Sequence, residues 1–332
     1  MKAYILDRYG KGQALRAGDW PDPFAGPGEV LVEIHAAALN VLDLKIRDGA
    51  FKPILPYRPP FLLGHDLAGV VVGVGAGVTR FKSGDEVYAR PRDLRIGAFA
   101  ERITVAEADL ALKPTTLSMA EAASLPLVAL TAWQMLVDRA QVKPGQKVLI
   151  HAGSGGVGTI AIQLAKHLGA TVATTTSAGN ADLVRALGAD VVIDYKTQDF
   201  AALLSDYDVA INSLEGDTLQ RSLQVLKPGG KLISISGPPD PAFAREQGMN
   251  WVLQQLMRML SSGIRRKAAR RQVDYSFLFM HASGDQLAKI AALVDAGTIR
   301  PVVDRTFAFD ALDEAMEYLG TGRAKGKVIL TR

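Results

Sequence analysis

The chain of 332 residues contains no cysteine. That one absence removes disulfides, thiolate nucleophiles and every cysteine-bearing zinc site from consideration. A marked charge bias is missing as well. The 38 Lys and Arg face 34 Asp and Glu, a formal net charge of +4, which is too balanced to argue for nucleic acid. No stretch approaches the roughly eighteen uninterrupted apolar residues of a membrane span. The opening residues Met1 to Asp7 lack the long uncharged core of a secretory signal. A soluble, cytoplasmic protein with neither a membrane nor a nucleic-acid partner is expected. Internal repeats and low-complexity tracts are also absent.

What is present describes an ordinary globular chain, 48% apolar and 22% charged, and its length exceeds the usual size of one hydrophobic core. As far as Ser118 the sequence carries short apolar runs between Gly and Pro: Glu29 to His35, Leu67 to Val74, Glu86 to Ala89 and Glu101 to Val105. Such runs predict a compact, barrel-like β domain. Beyond Met119 short buried strands (Lys147 to Ala152, Thr171 to Thr175, Val191 to Asp194, Asp208 to Ser213, Lys231 to Ser236) alternate with helical spacing at Val157 to Leu168 and Ala181 to Leu187. That alternation predicts an α/β unit with a parallel sheet covered on both faces. Asp274 to Met280 reads as one more strand, Asp285 to Ala296 and Leu312 to Leu319 as amphipathic helices, and Lys327 to Leu330 as a last strand able to rejoin the first domain.

The most informative passage is the glycine string Gly153, Gly155, Gly156 and Gly158, set between a buried strand and an amphipathic helix. In that context glycines let the backbone turn tightly and approach a pyrophosphate, while the N–H groups and dipole at the helix start favour negative charge. A turn that merely packs helix on strand is the alternative. At the end of the next strand stand Thr174, Thr175, Thr176, Ser177 and Asn180, with no carboxylate before Asp182. Hydroxyls and an amide accept a 2′-phosphate that a carboxylate would repel, which favours NADPH over NADH. No Lys or Arg stands there to neutralise the phosphate, and the same residues can simply cap the next helix.

Several passages in fixed order carry a family likeness: Pro27 to Val32 with Ala38 to Asp43, Gly64 to Val71, Phe81 to Tyr88, Gly97 to Glu101, Leu130 to Trp133, and Gly188 to Tyr195. Over essentially its whole length the chain resembles the medium-chain dehydrogenase/reductase superfamily, specifically its zinc-free quinone oxidoreductase branch with the enone reductases. The resemblance implies a GroES-like β-barrel domain from residues 1–121 and 281–332, and an inserted Rossmann domain, a doubly wound parallel sheet, from residues 122–280. It implies an active site in the cleft between them. It also implies a homodimer in which the Asp274 to Met280 strands pair across a two-fold axis. By the same resemblance Ser154, Gly155, Gly156, Val157 and Gly158 take the pyrophosphate, Thr176, Ser177 and Asn180 the 2′-phosphate, and Tyr195 the adenosine. Thr131, Ser213, Leu214, Gly237, Phe277, Leu278, Phe279 and Lys327 surround the nicotinamide half; for Phe277 and Phe279 core packing is an equal alternative. Two departures stand out. Gly179 occupies a position where relatives often carry Lys, and Ile46 with Phe51 stand where some quinone reductases place tyrosines.

The alcohol dehydrogenases of this superfamily hold a catalytic zinc on a Cys, a His-Glu pair and a further ligand. Here Asn40 stands where the first Cys would be, and His65, Asp66 and Asp43 form a poor tetrahedral set. No metal is expected, and His65 is expected to be a structural, hydrogen-bonded side chain. Without a Lewis acid, a substrate that already carries an electron-poor conjugated carbon is favoured, so the sequence predicts an NADPH-dependent reductase of quinones or enones. Asn40 and Tyr57 are candidate hydrogen-bond donors to the enolate, with Asp43 either orienting a loop or taking part in chemistry. A binding protein without turnover and a zinc alcohol dehydrogenase are the rival readings. The remaining feature is the apolar Trp251 to Leu260 followed by Arg265, Arg266, Lys267, Arg270 and Arg271. It is able to touch nucleic acid or an anionic membrane, but is expected to be a solvated helix whose apolar face covers the substrate cleft.

Overall fold

The structure is a computed structural model, and it describes residues 1–52 and 54–332. The first strands are β1 (Lys2–Leu6), β2 (Arg16–Asp19), β3 (Glu29–Leu39), β4 (Phe61–Leu62), β5 (Asp66–Val74), β6 (Glu86–Ala89), β7 (Arg102–Ala106) and β8 (Leu110–Leu112). There follow β9 (Lys147–Ile150), β10 (Thr171–Thr176), β11 (Val191–Asp194), β12 (Tyr207–Asn212), β13 (Leu226–Ser234) and β14 (Asp274–Phe277). Last come β15 (Val303–Ala308) and β16 (Lys327–Thr331). The chain divides into two compact units, residues 1–130 with 281–332, and residues 131–280. The first division lies somewhat beyond residue 121, the boundary drawn from the sequence.

The first unit holds a seven-stranded sheet, ordered β15-β16-β3-β5-β6-β8 with β7 also paired to β3, and a three-stranded sheet β2-β1-β4. β3 is its axis. Residues alternate between half-buried and buried along Glu29–Ile34, and all are buried from Ala36 to Leu39, where β16 and β5 flank the strand. The register brings four strand ends to one rim. Val328 pairs with Leu39, Ala38 with Asp66, and Leu67 with Ala89. Lys327, Asn40, Asp66 and Arg90 follow at or next to those ends. As anticipated, the final strand returns to the first unit.

In the second unit the strands run β11-β10-β9-β12-β13-β14, and every pairing is parallel. Counted within the unit, this is the order 3-2-1-4-5-6 of dinucleotide-binding folds, whose ligands sit beyond the carboxyl ends of the strands where the order reverses. Here that switch falls between β9 and β12. Leu149, Ala173, Ile193, Phe200 and Leu232 fill one core cluster. β14 ends at Phe277, short of the expected Met280, because its partner β13 ends at Ser234. The sequence reading also passed over β15, whose six residues are all exposed or half-buried and give no apolar run.

Candidate active site

In the second unit the chain leaves β9 through Ala152, in the left-handed region at φ +53°, and enters the Gly156–His167 helix. Two glycines are fixed by packing. A Cβ on Gly153 would meet Thr174 Oγ1 at 2.1 Å, and one on Gly158 would meet the Ala152 carbonyl oxygen at 2.3 Å. Gly155 is different, since its Cβ would meet only the Ala152 oxygen, at 3.4 Å. Loop and helix therefore pack backbone to backbone while the helix start stays uncovered, the arrangement a pyrophosphate needs. Ser154 is bound from the end of β10: Thr176 Oγ1 donates to Ser154 Oγ at 3.0 Å and Asn180 Nδ2 donates to it at 3.1 Å. Ser154, Thr176 and Asn180 thus come together as expected. Ser177 adjoins them as the residue before a short 3-10 turn, and Tyr195 projects nearby, 61% exposed, its amide bonded to the Thr176 carbonyl.

Of the predicted nicotinamide-side residues, Ser213, Leu214 and Gly237 are tied into one polar network. Asn212 Nδ2 donates to the Leu214 carbonyl at 2.9 Å and to Ser234 Oγ at 3.2 Å. Ser234 Oγ also accepts from the Gly237 amide, and Ser236 Oγ donates to the Ser213 carbonyl. Tyr275 hydroxyl closes over Gly237 by donating to the Pro238 carbonyl at 2.7 Å; burial raises its pKa, so it keeps its proton. Asp240 accepts from the amides of Phe243 and Phe277. Phe277 and Phe279 both pack on Phe243, with ring centroids 5.1 and 5.7 Å away; Phe277 is buried and Phe279 half-buried. Leu278 and Thr131 are buried. Asn212, Ser234 and Asp240 were missed in the sequence, where nothing marks a strand-end Asn as the clamp of two turns. Among the described residues Asn212 Oδ1 is buried without a hydrogen-bond partner.

The first unit contributes a polar cluster at its rim. Lys327 Nζ donates to Asn40 Oδ1 and to Asp66 Oδ2, the latter at 3.0 Å. Asn40 Nδ2 donates to Asp66 Oδ2 at 3.0 Å and, weakly, to the Ala38 carbonyl. The Leu127 amide donates to Asp66 Oδ1 at 2.8 Å. Beside them Asp43, in the first turn of the Val41–Arg47 helix, accepts the Asn40 amide at 2.8 Å and stands 2.6 Å from His65 Nδ1. A carboxylate only accepts, so Nδ1 carries a proton and the ring is held through it. All five side chains are buried.

Each of the candidate residues has defined partners in this geometry. One amide hydrogen of Asn40 is committed to Asp66 and the other reaches Ala38 only weakly, while its oxygen accepts from Lys327 and braces the ammonium. Asp43 has both oxygens engaged. His65 is hydrogen-bonded as expected, yet its Nε2 is buried without a partner among the described residues. Tyr57 stands apart from the cluster: its oxygen accepts the Leu94 amide at 3.1 Å, and its ring stacks on Phe61. Burial holds its pKa well above the ordinary phenol value, so it keeps its proton and can donate a hydrogen bond.

Comparison with known proteins identifies the family. Residues 26–115 match the alcohol dehydrogenase GroES-like domain and residues 187–330 the zinc-binding dehydrogenase family. The chain is 34% identical to the mitochondrial NAD(P)H oxidoreductase RTN4IP1 of Danio rerio, over 100% of this chain and 91% of that protein. The chain belongs to the medium-chain dehydrogenase/reductase superfamily. This member is also 36% identical to the chloroplastic NADPH-dependent alkenal/one oxidoreductase of Arabidopsis thaliana, over 99% of this chain and 79% of the relative. The solved quinone oxidoreductase of Coxiella burnetii superposes with a TM-score of 0.87 at 31% identity, covering 100% of this chain and 99% of that one.

The zinc of the family name can be tested against the donors on hand. Both oxygens of Asp66 and of Asp43 are taken by hydrogen bonds, Lys327 places an ammonium inside the cluster, and Asn40 offers no thiolate. Zinc prefers three or four thiolate, imidazole or carboxylate ligands in a tetrahedron, and this set does not fit it.

Proposed function

We propose that this dehydrogenase/reductase superfamily member is an NADPH-dependent, zinc-independent reductase that delivers hydride to quinones or α,β-unsaturated carbonyl compounds. The observation that carries the reading is the buried Lys327, hydrogen-bonded to Asp66 and to Asn40, the residue that by the family resemblance stands in place of a zinc-binding Cys. Lys327 spends two of its three ammonium hydrogens there. The third is a fixed, desolvated donor for an oxygen that gains negative charge, the role a Lewis acid fills elsewhere. Tyr57 keeps its own hydroxyl hydrogen while accepting from Leu94, and is a second donor for the same kind of atom.

The coenzyme fits the second unit's loop: Gly155 to Gly158 would receive the pyrophosphate, and Ser154, Thr176 and Asn180 the 2′-phosphate. When bound, a reduced nicotinamide supplies the hydride. The chain's task is then orientation and charge stabilisation, with solvent returning the proton. A preference for the 2′-phosphorylated coenzyme is supported by the absence of a carboxylate from Thr174 to Ala181 and by the Arabidopsis relative, an NADPH-dependent oxidoreductase by name. A homodimer is part of this proposal; its support is the outermost position of β14 in its sheet, where an unpaired edge can extend into a second copy.

The test follows NADPH loss with naphthoquinone and with a simple enone. Turnover unaffected by chelators, absent with primary alcohols and NADP, and lowered about a hundredfold in kcat/KM by Lys327→Met is expected. No NADPH loss with any quinone or enone would overturn the reading, and so would activity that disappears on chelation.

A further inference from the structure

Between Gln247 and Val273 there is no acidic residue, whereas Arg258, Arg265, Arg266, Lys267, Arg270 and Arg271 all fall there. The stretch folds as two helices, Trp251–Leu260 and Ser262–Arg270, that share Ser261 as a joint. The second is anchored: Ile264 and Ala268 enter the core cluster of the second unit, which leaves its cations outside. Arg265, Arg266, Lys267, Arg270 and Arg271 are all exposed. Among the described residues no carboxylate pairs with any of the six cations, unlike Arg139, Arg185 and Arg221 of the same unit, each of which has an acidic partner.

The first helix departs from what its sequence led one to expect. Its only fully buried side chain is Met257. The apolar residues expected to cover a cleft face solvent instead, with Trp251 73% and Met259 72% exposed and Val252, Leu256 and Leu260 around half. At the helical angle of about 100° per residue, these five fall on one half of the helix circumference. Exposed Gln255 lies among them, so the face is apolar with one amide at its middle, and an exposed apolar face on a surface helix is a contact face. Here an uncompensated cationic helix adjoins it, and the two together select a partner that is apolar beneath and anionic at its surface.

We infer that this pair of helices docks the protein on an anionic phospholipid surface. Trp251, Val252, Leu256, Met259 and Leu260 enter the boundary between headgroups and acyl chains, and the Arg and Lys residues neutralise lipid phosphates. No helix of the described residues is long and apolar enough to cross a membrane, so the attachment is peripheral. The inference uses no part of the hydride-transfer reading and stands or falls separately from it.

The experiment is flotation of the full-length protein with phosphatidylcholine vesicles, with and without phosphatidylglycerol, while tryptophan fluorescence is recorded. Binding that requires phosphatidylglycerol, weakens with salt and blue-shifts the emission is expected. Each neutralised cation should weaken partitioning about fivefold, so the Arg265→Gln, Arg266→Gln, Arg270→Gln and Arg271→Gln protein should lose it a hundredfold or more. Trp251→Ser with Met259→Ser should abolish binding and the blue shift. All of these positions are exposed, and the circular dichroism and melting temperature should be unchanged in both variants, which separates lost docking from lost folding. Failure to float with anionic vesicles, binding indifferent to both sets of substitutions, or salt-sensitive retention on RNA without vesicle binding would overturn the inference. A shift in the protein's light-scattering mass on Trp251→Ser would overturn it too, by giving the face to a second copy of the chain.

Discussion

Asp66 shows how far one residue's surroundings decide its role. It is fully buried, and it is tolerated because an ammonium, a side-chain amide and a backbone amide all donate to it. Lys327→Met leaves that charge without its cation, and removal of one partner of a buried pair costs about 3–5 kcal/mol. The expected outcome in a denaturant titration lies near the lower end, because two hydrogen bonds to Asp66 survive. Adding Asp66→Asn should recover much of the loss, since the doubly substituted site buries no charge. If the double variant is no more stable than Lys327→Met, the pairing is not what holds the rim. The glycine loop gives a second residue-scale contrast. Gly158→Ala drives a Cβ to 2.3 Å from a carbonyl oxygen, and overpacking of this kind costs about 1–3 kcal/mol. Gly155→Ala sits at an ordinary φ of −82° with room for a methyl. It should leave the melting temperature nearly unchanged while weakening NADPH about tenfold or more, because the methyl enters the space above the helix start. Equal effects on stability and on coenzyme titration would contradict the distinction.

At the scale of elements, β9 and β10 are locked to the Thr218–Val225 helix through His151. Ser222 donates its own proton to the Thr218 carbonyl, so its oxygen accepts from His151 Nε2, and Thr175 is left to donate to Nδ1. The neutral ring is fully satisfied. Burial, reinforced by the charge of Arg221, lowers its pKa from 6.5 to about 4. A base with a depressed folded pKa binds its proton more readily when unfolded. Its effect is nil above the unfolded value of about 6.5, and stability falls as the pH drops from there toward about 4. At about 1.4 kcal/mol per unit, roughly 2 kcal/mol should be lost between about pH 7 and pH 5. Urea titrations should show that loss, and His151→Gln, less stable at neutral pH, should show a flatter profile over the same interval. The elements also mark where the sequence was legible. The Gly153–Gly158 turn was readable because strand, glycines and helix are contiguous. The rim cluster was not: Lys327 and Asp66 lie 261 residues apart, and only strand register, set by the whole sheet, places them together. The solvent-facing stripe of the Trp251–Leu260 helix was misjudged because periodicity reveals an apolar face but not what it faces.

For the molecule as a whole, the second unit carries every residue assigned to the coenzyme except Lys327, so coenzyme binding should act as a fold-stabilising ligand for that unit. A ligand at a hundred times its dissociation constant stabilises the native state by about 2.7 kcal/mol. NADPH should therefore raise the melting temperature and slow amide exchange within residues 131–280, and NADH at the same concentration should do so less. That difference is a direct measure of the Ser154, Thr176 and Asn180 cluster, which offers hydroxyls and an amide but no cation. Gly179 is where a cation can be added: it lies one residue from Asn180, its φ is not in the left-handed region, and a side chain there meets nothing within 4 Å. Gly179→Arg should improve NADPH affinity about tenfold and leave NADH unchanged, since a guanidinium pairs with a phosphate and has no comparable partner on a ribose hydroxyl. The gap between the two coenzymes should then widen by about 1.4 kcal/mol. If NADH and NADPH stabilise the native chain equally, and Gly179→Arg strengthens both or neither, the 2′-phosphate does not rest on Ser154, and the preference drawn from the missing carboxylate fails with it.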